Sequence, residues 1–265
     1  VTDQPLVQDG FTAPALRRAF GATAAANWHP LTWASHMLDV SAWGLNPRGH
    51  HATSLGLHVL NAVLLFLFFE QRTRAWAPSA LVAGLFALHP LHVESVAWAS
   101  ERKDVLSGLF FMLALWTYAR YAERPRITRL LVVTLCVLLG LLSKATLVTL
   151  PAVLLLLDVW PLGRLGAFAP AGPGVRVTPR RAVLEKVPML LLAAGVSGII
   201  FVVGREAGAM SSLEALPLGA RVSNALAGQL PDGDDANRHQ DQQHDTARQD
   251  ERVELLMQYQ VQHLL

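Results

Sequence analysis

Along the middle of the chain, long apolar blocks alternate with short polar segments. Leu55 to Phe69 is the first clear block, extendable back through His50 and His51, and Glu70-Gln71-Arg72-Thr73-Arg74 closes it. Ser79 to His89 opens a second, short unless Trp76 to Pro78 contribute, and Val105 to Tyr121 forms a third. Leu130 to Leu142 and Ala145 to Val159 are two further runs on either side of Ser143-Lys144, and Val187 to Val203 is the last. Runs of this length read as helices crossing a hydrocarbon core about 30 Å thick. The predicted fold is therefore all-α: a polytopic membrane helical bundle of about six spans over residues 55–203.

The flanks differ from this core. Residues 1–54 set Phe11, Leu16, Phe20, Trp28, Trp33 and Trp43 among polar positions. Two readings weigh equally: short helices at a membrane interface, where tryptophan accumulates, or a small extramembrane cap with ordinary core tryptophans. Pro14, Pro30 and Pro47 each suit the first turn of a short helix. Residues 204–227 are expected to form an outer loop. Gly228 to Gln249 is almost purely polar and is expected to be disordered, with a short helix over Glu251 to Leu265. His239 and His244 in this tail read as solvated low complexity rather than a metal pair.

Basic residues order the spans. With Arg72 and Arg74 on the inner side, alternation puts the loop at 89–104 outside and Arg120, Arg124, Arg126 and Arg129 inside. Arg164, Arg176, Arg180, Arg181 and Lys186 also fall inside, provided 130–159 is a tight hairpin with Lys144 near its outer tip. A single crossing there would put the last basic cluster outside.

Composition supports a membrane protein: 52% of residues are hydrophobic and 16% charged, with mean hydropathy +0.33, against about a quarter charged in a soluble domain. The net charge of +2 gives no case for a nucleic-acid partner. Cys136 is the single cysteine, so no disulfide can form within the chain. Val1 to Gly10 has no basic n-region and is not a signal peptide. The chain starts without an initiator methionine and is expected to be a fragment.

Candidate chemistry concentrates between the second and third spans, in His89-Pro90-Leu91-His92-Val93-Glu94-Ser95-Val96-Ala97-Trp98-Ala99-Ser100-Glu101-Arg102-Lys103-Asp104. Charges this close to a bilayer are costly unless they face water or a site. His89 and His92, three apart, share a helical face and could hold a phosphate or a metal, with Pro90 opening the helix; interfacial hydrogen bonding would explain them as well. Glu94 points away from His92, so no metal-ligand set is assigned. Glu101, Arg102, Lys103 and Asp104 read either as a charged helix start or as a grip on a lipid-linked phosphate with an acid for proton transfer. Lys144, between two apolar runs, points more firmly to a role. His58 and Asn61 in the first span read as packing glue.

Three stretches carry a family likeness. HPLHVESVAWASERKDVLSGLFFMLALWTYARY and LLSKATLVTLPAVLLLLDVWPLGR resemble the transmembrane and tetratricopeptide-repeat O-mannosyltransferase family and its bacterial relatives. NWHPLTWASHMLDVSAWGLNPRGHHATSLGLHVLNAVLLF resembles the first outer loop and second span of the same proteins, so the likeness covers roughly residues 1–226. It implies a GT-C type glycosyltransferase that takes a sugar, mannose by family, from a polyprenyl-phosphate donor. The acceptor is then a protein hydroxyl on the outer face. By resemblance Glu94 positions donor or acceptor, and Arg102, Lys103 and Lys144 contact the lipid phosphate. The family's acidic base pair falls before Val1, its tetratricopeptide repeats would follow the membrane domain, and the tail after Ala227 departs from its pattern. The chain alone is accordingly expected to be inactive. Arg-, Ala-, Leu- and Gly-rich composition points to a bacterial inner membrane. The competing classes are a non-catalytic, membrane-anchored repeat scaffold and a transporter of lipid-linked sugars; a transporter should carry inverted internal repeats, and none is visible.

Overall fold

The computed structural model describes residues 5–21, 28–165 and 172–206, with position 223. Two units are separable, Val1–Ala209 and Met210–Leu265. Beyond Glu206, the expected outer loop, polar tail, terminal helix and the histidines at 239 and 244 lie outside the described residues, apart from position 223.

The first unit is helical, with no strand among the described residues. α1 (Pro5–Gln8), α2 (Ala13–Gly21) and α3 (Pro30–Trp43) precede the long α4 (Pro47–Thr73). Pro14, Pro30 and Pro47 all occupy first-turn positions, where a missing backbone N–H costs nothing. Asn46 caps α4 by accepting from the Arg48 N–H at 3.0 Å. α5 (Trp76–Leu88) and α6 (Leu91–Ala97) meet at a 60° bend around His89-Pro90. α7 (Arg102–Glu123), α8 (Ile127–Ser143), α9 (Leu150–Val159), α10 (Pro179–Leu184) and α11 (Val187–Glu206) complete the unit.

Each block expected to span is helical. α4, the 99–123 segment containing α7, and α11 are long and apolar enough to cross a bilayer singly; the bent α5–α6 pair makes a fourth candidate. α8 and the 145–159 segment are shorter. At 1.5 Å per residue they reach about 20–25 Å, short of a core about 30 Å thick. The result is the all-α helical bundle of an integral membrane protein.

Cross-links fix the direction of each helix. Asn61 of α4 donates to the Val105 carbonyl of α7 at 2.8 Å, and Arg72 of α4 pairs with Glu123 of α7, so these two helices run parallel. Lys144, just past α8, pairs with Asp104 of α7, which sets α8 antiparallel. The α8–α9 hairpin closes where a Cβ on Gly140 would stand 2.2 Å from Leu147 Cδ2, so a larger residue there would have to push the leucine end aside. One end of the bundle thus gathers α6, the start of α7 and Lys144. The other gathers Arg72, Arg120, Arg129 and Arg164. Between them, Phe68, Tyr118, Ala119, Val137, Leu141, Leu150 and Met189 form a contiguous core.

A buried ion network ties each end. At the basic end, Asp158 accepts from Tyr118 at 2.6 Å and from Arg164 at 2.9 Å, and also pairs with Lys186; all four side chains are fully buried. Arg164 further binds Glu185 at 2.8 Å, so two cations face two carboxylates. At the opposite end the Arg102 guanidinium, 0% exposed, donates to Ser54 (2.8 Å), Ser35 (3.2 Å), Asp39 (2.7 Å) and the His50 carbonyl (2.6 Å). It locks α3, α4 and α7 together. His36 is buried beside it, its ring 5.9 Å from that of His50.

Two outcomes follow from these networks. Asp158→Asn leaves Arg164 and Lys186 short of their shared counter-ion and should cost about 3–5 kcal/mol, as breaking a buried pair does; thermal unfolding in detergent measures it, and a change below about 1 kcal/mol would contradict the assignment. Burial first, then Arg102 and His50, push the His36 imidazole from 6.5 down to about 3. The fold binds the neutral ring, so its contribution is complete above pH 6.5 and is lost as pH falls towards 3. Unfolding temperature measured from pH 7.5 to 4 should drop more steeply for the wild type than for His36→Gln, and parallel curves would refute this.

Candidate functional site

α7 begins at Arg102 because the preceding 3-10 turn, Ala99–Glu101, brings the chain round from α6. With Arg102 anchored inward, helical geometry turns Lys103 and Asp104 to other faces of the same turn. Lys103 is partly exposed and pairs with Glu101 at 2.9 Å; Asp104 pairs with Lys144 and accepts from Ser95 at 3.2 Å. A cavity of about 330 Å³ opens against this pair. α4, α5 and α6 contribute His58, Asn61, Phe86, His92 and Ser95 to its lining, and α7 with the 145–149 turn contributes Asp104, Ser107, Gly108, Phe111 and Leu147.

His89 and His92 were expected on one helical face; only His92 lies in α6, and the two rings stand 6.1 Å apart, His89 in the bend before that helix. The His89 Nδ1 accepts from the Leu91 N–H at 3.2 Å, and Pro90, expected as the first helical residue with His89 as cap, is itself the N-cap of α6. His92 turns inward, 5.5 Å from the His58 ring and 4.5 Å from Phe86. Glu94 is exposed, and its carboxylate has no hydrogen-bond or ionic partner among the described residues. His89, His92, Asp104, Lys103, Glu101 and Lys144 therefore gather at one end of the bundle, with Glu94 on its outer edge.

Arg102 does something different from what the sequence led us to expect. Each guanidinium nitrogen is given to a protein acceptor, and none of the side chain meets solvent. A lipid phosphate would have to displace Asp39, so Arg102 is an internal anchor that aims its neighbours. The sequence expectation assumed that a charged helix start faces outward; it did not foresee that α3 would bring Asp39 over it.

Other members of the site escaped sequence reasoning. His36, Asp39 and His50 each place a donor atom within 4.8 Å of the others, an arrangement that could in principle hold a metal. A cation there would sit beside the Arg102 guanidinium with only the Asp39 carboxylate to balance both charges, so the cluster is better explained as a buried ion pair. The one local signal was the pairing at i, i+3 of His36 with Asp39, the two titratable residues of α3. His29 is brought to the site because Thr32, one turn further along α3, donates to the Ser143 carbonyl at 2.9 Å, next to Lys144. Burial, then Lys103 and Lys144, lower the His29 pKa and favour its neutral ring. Chemically, the end of the bundle combines two lysines, each paired with a carboxylate, and an amphipathic cavity. It suits an anionic group with polar, uncharged attachments.

Comparison with known proteins agrees with the family likeness over part of the chain. No family model matches, and no solved structure matches. Protein O-mannosyl-transferase Tmtc1 of Drosophila melanogaster is 35% identical over 143 residues, 52% of this chain and 16% of its own length. Protein O-mannosyl-transferase TMTC1 of Homo sapiens is 29% identical over 187 residues, 63% of this chain and 21% of that protein. TMTC2 of Mus musculus is 35% identical over 98 residues, 37% of this chain and 12% of that protein. The chain spans about a fifth or less of the length of these curated relatives, and what it is similar to is one portion of proteins named as protein O-mannosyl-transferases.

Proposed function

We propose that this chain forms part of the donor-binding core of a membrane glycosyltransferase of the O-mannosyltransferase type. The observation that carries the reading is the convergence of Lys144 and Asp104, 40 residues apart, on one cavity at the end of an apolar bundle, with Lys103 on the neighbouring face of the same helix turn. An ammonium group held at that depth by a carboxylate is expensive without a purpose. A polyprenyl phosphate matches both halves of the site: its phosphate can take Lys144 from Asp104 and receive Lys103, while its tail lies against the exposed leucine and valine side chains of the helices. The names of the relatives support sugar transfer as the reaction and mannose as the sugar.

The side of the membrane follows from charge. Arg72, Arg120, Arg129 and Arg164 lie at the end opposite the cavity; the positive-inside bias makes that end cytoplasmic and the cavity external. A hydroxyl of a protein acceptor would then approach from outside, where Glu94 offers a free carboxylate at the rim. Lys103 and Lys144 hold the phosphate as it departs, stabilising the charge that grows on it as the glycosidic bond breaks. Asp104 holds the Lys144 ammonium and Glu101 that of Lys103, and Arg102 fixes the helix turn that carries Lys103.

Lys144→Met should weaken binding of polyprenyl phosphate to the chain in lipid nanodiscs about 10- to 100-fold, the worth of one charge-assisted hydrogen bond. Binding by the variant equal to that of the wild type would remove the reading.

A further inference from the structure

At the basic end of the bundle a second cleft, of about 260 Å³, opens between the last turns of α7 and the first turns of α8. Thr117 and Arg120 line it from α7, and Thr128, Arg129 and Val132 from α8. Both arginines are held in place. The Arg120 guanidinium stands 5.4 Å from the centre of the Trp116 ring, a contact that engages none of its N–H groups. Arg129 donates from Nη1 to the Arg120 carbonyl at 2.6 Å and to the Arg124 carbonyl at 3.4 Å. Its Nε and Nη2 have no partner among the described residues.

Charge in this corner is unbalanced. Residues 116–132 hold Arg120, Arg124, Arg126 and Arg129 but one acid, Glu123, which pairs with Arg72. None of the four arginines meets a carboxylate among the described residues. Membrane topology alone asks for positive charge at this end. It does not ask for two guanidinium groups fixed around one cleft. From the cleft, Leu131, Val132 and Leu135 continue along α8 as an exposed apolar strip. A ligand that fits both parts carries a phosphate at one end and an acyl chain at the other. Arginine matches phosphate oxygens with paired N–H groups, and basic pockets between spans suit anionic headgroups. A free phosphate would leave the apolar strip unused.

We propose that this cleft binds an anionic phospholipid of the surrounding bilayer, its phosphate between Arg120 and Arg129 and an acyl chain along Leu131 and Leu135. The site lies at the opposite end of the bundle from Lys144, so it is separate from the donor cavity. It requires that the bundle crosses a bilayer and does not rest on the donor-site reading. A lipid seated here joins α7 to the short α8 and, by binding the folded chain alone, stabilises it by mass action.

The test titrates the 265-residue chain in uncharged detergent with phosphatidylglycerol, phosphatidylcholine or inorganic phosphate, reading lipid binding and unfolding temperature. The wild type should bind phosphatidylglycerol about tenfold more tightly than phosphatidylcholine, whose quaternary ammonium the arginines repel. Phosphatidylglycerol should raise the unfolding temperature, and inorganic phosphate at the same concentration should not. Arg120→Gln should weaken phosphatidylglycerol binding about tenfold, the worth of one charge-assisted contact. Thr128→Asp puts a carboxylate into the lining at a first-turn position that favours an acid, so this variant should stay folded and lose at least as much affinity. Arg180→Gln, at an exposed arginine of α10 outside the cleft, should change binding less than about twofold. Equal binding of the two lipids, or undiminished binding by Thr128→Asp, overturns the inference. Equal losses in Arg120→Gln and Arg180→Gln overturn it as well, leaving only diffuse attraction to the basic end. Displacement of the lipid by an equal concentration of inorganic phosphate makes this a free-anion site and overturns the lipid assignment.

Discussion

Everything at the site end depends on one buried cation. Arg102 is the first residue of α7, and its guanidinium reaches back to Asp39 on α3 and to Ser54 and the His50 carbonyl on α4. A buried charge without such partners would be prohibitive; with them, the same charge becomes a three-way fastening between helices far apart in sequence. Once Arg102 points inward, Lys103 and Asp104 have their directions set by the helix, and Asp104 can meet Lys144. The cavity is therefore a consequence of the anchor: the residues that line it are free to face it because their neighbour bears the structural load.

The opposite end repeats the device with different residues. Asp158, Arg164, Lys186 and Tyr118 bury two cations between α7, the end of α9 and the start of α11, and Glu185 completes the charge balance. α8 and α9 are each short for a bilayer, and α11 enters the bundle directly after Lys186. The network fixes where these helices begin and end at the basic face, which the apolar contacts between them could not do alone. Hydrophobic packing sets which surfaces meet, and the ion clusters set the register at which they meet.

The helices were legible because their signal is local. Each apolar block at 55–69, 79–89, 105–121, 130–142, 145–159 and 187–203 became a helix, and the three prolines at 14, 30 and 47 marked helix starts. Lys144 and the 89–104 segment could also be singled out, since charge between apolar runs stands out without knowledge of contacts. Arg102 could not be told from Lys103 in the same way. Both are cations at a helix start, and only the approach of Asp39, 63 residues away, decides that one is an anchor and the other is left at the site. His29 was invisible for the same reason: its relation to Lys144 runs through Thr32 and the Ser143 carbonyl, a contact spanning 111 residues.

Asn61 shows how far the structural view extends the linear one. On a helical wheel it is a polar residue on a buried face, and a cross-helix hydrogen bond explains it; the bond to Val105 is indeed there. What the wheel does not display is that an amide has two ends. Satisfying the N–H end with a fixed backbone carbonyl also fixes the direction of the oxygen, which is left buried without a partner among the described residues. The interaction that ties α4 to α7 therefore sets the register in which His58 of α4 and Ser107 of α7 come to line one cavity. Arg102 works by the same logic one turn earlier, so both functional walls of the cavity inherit their geometry from bonds whose first task is to hold the helices together.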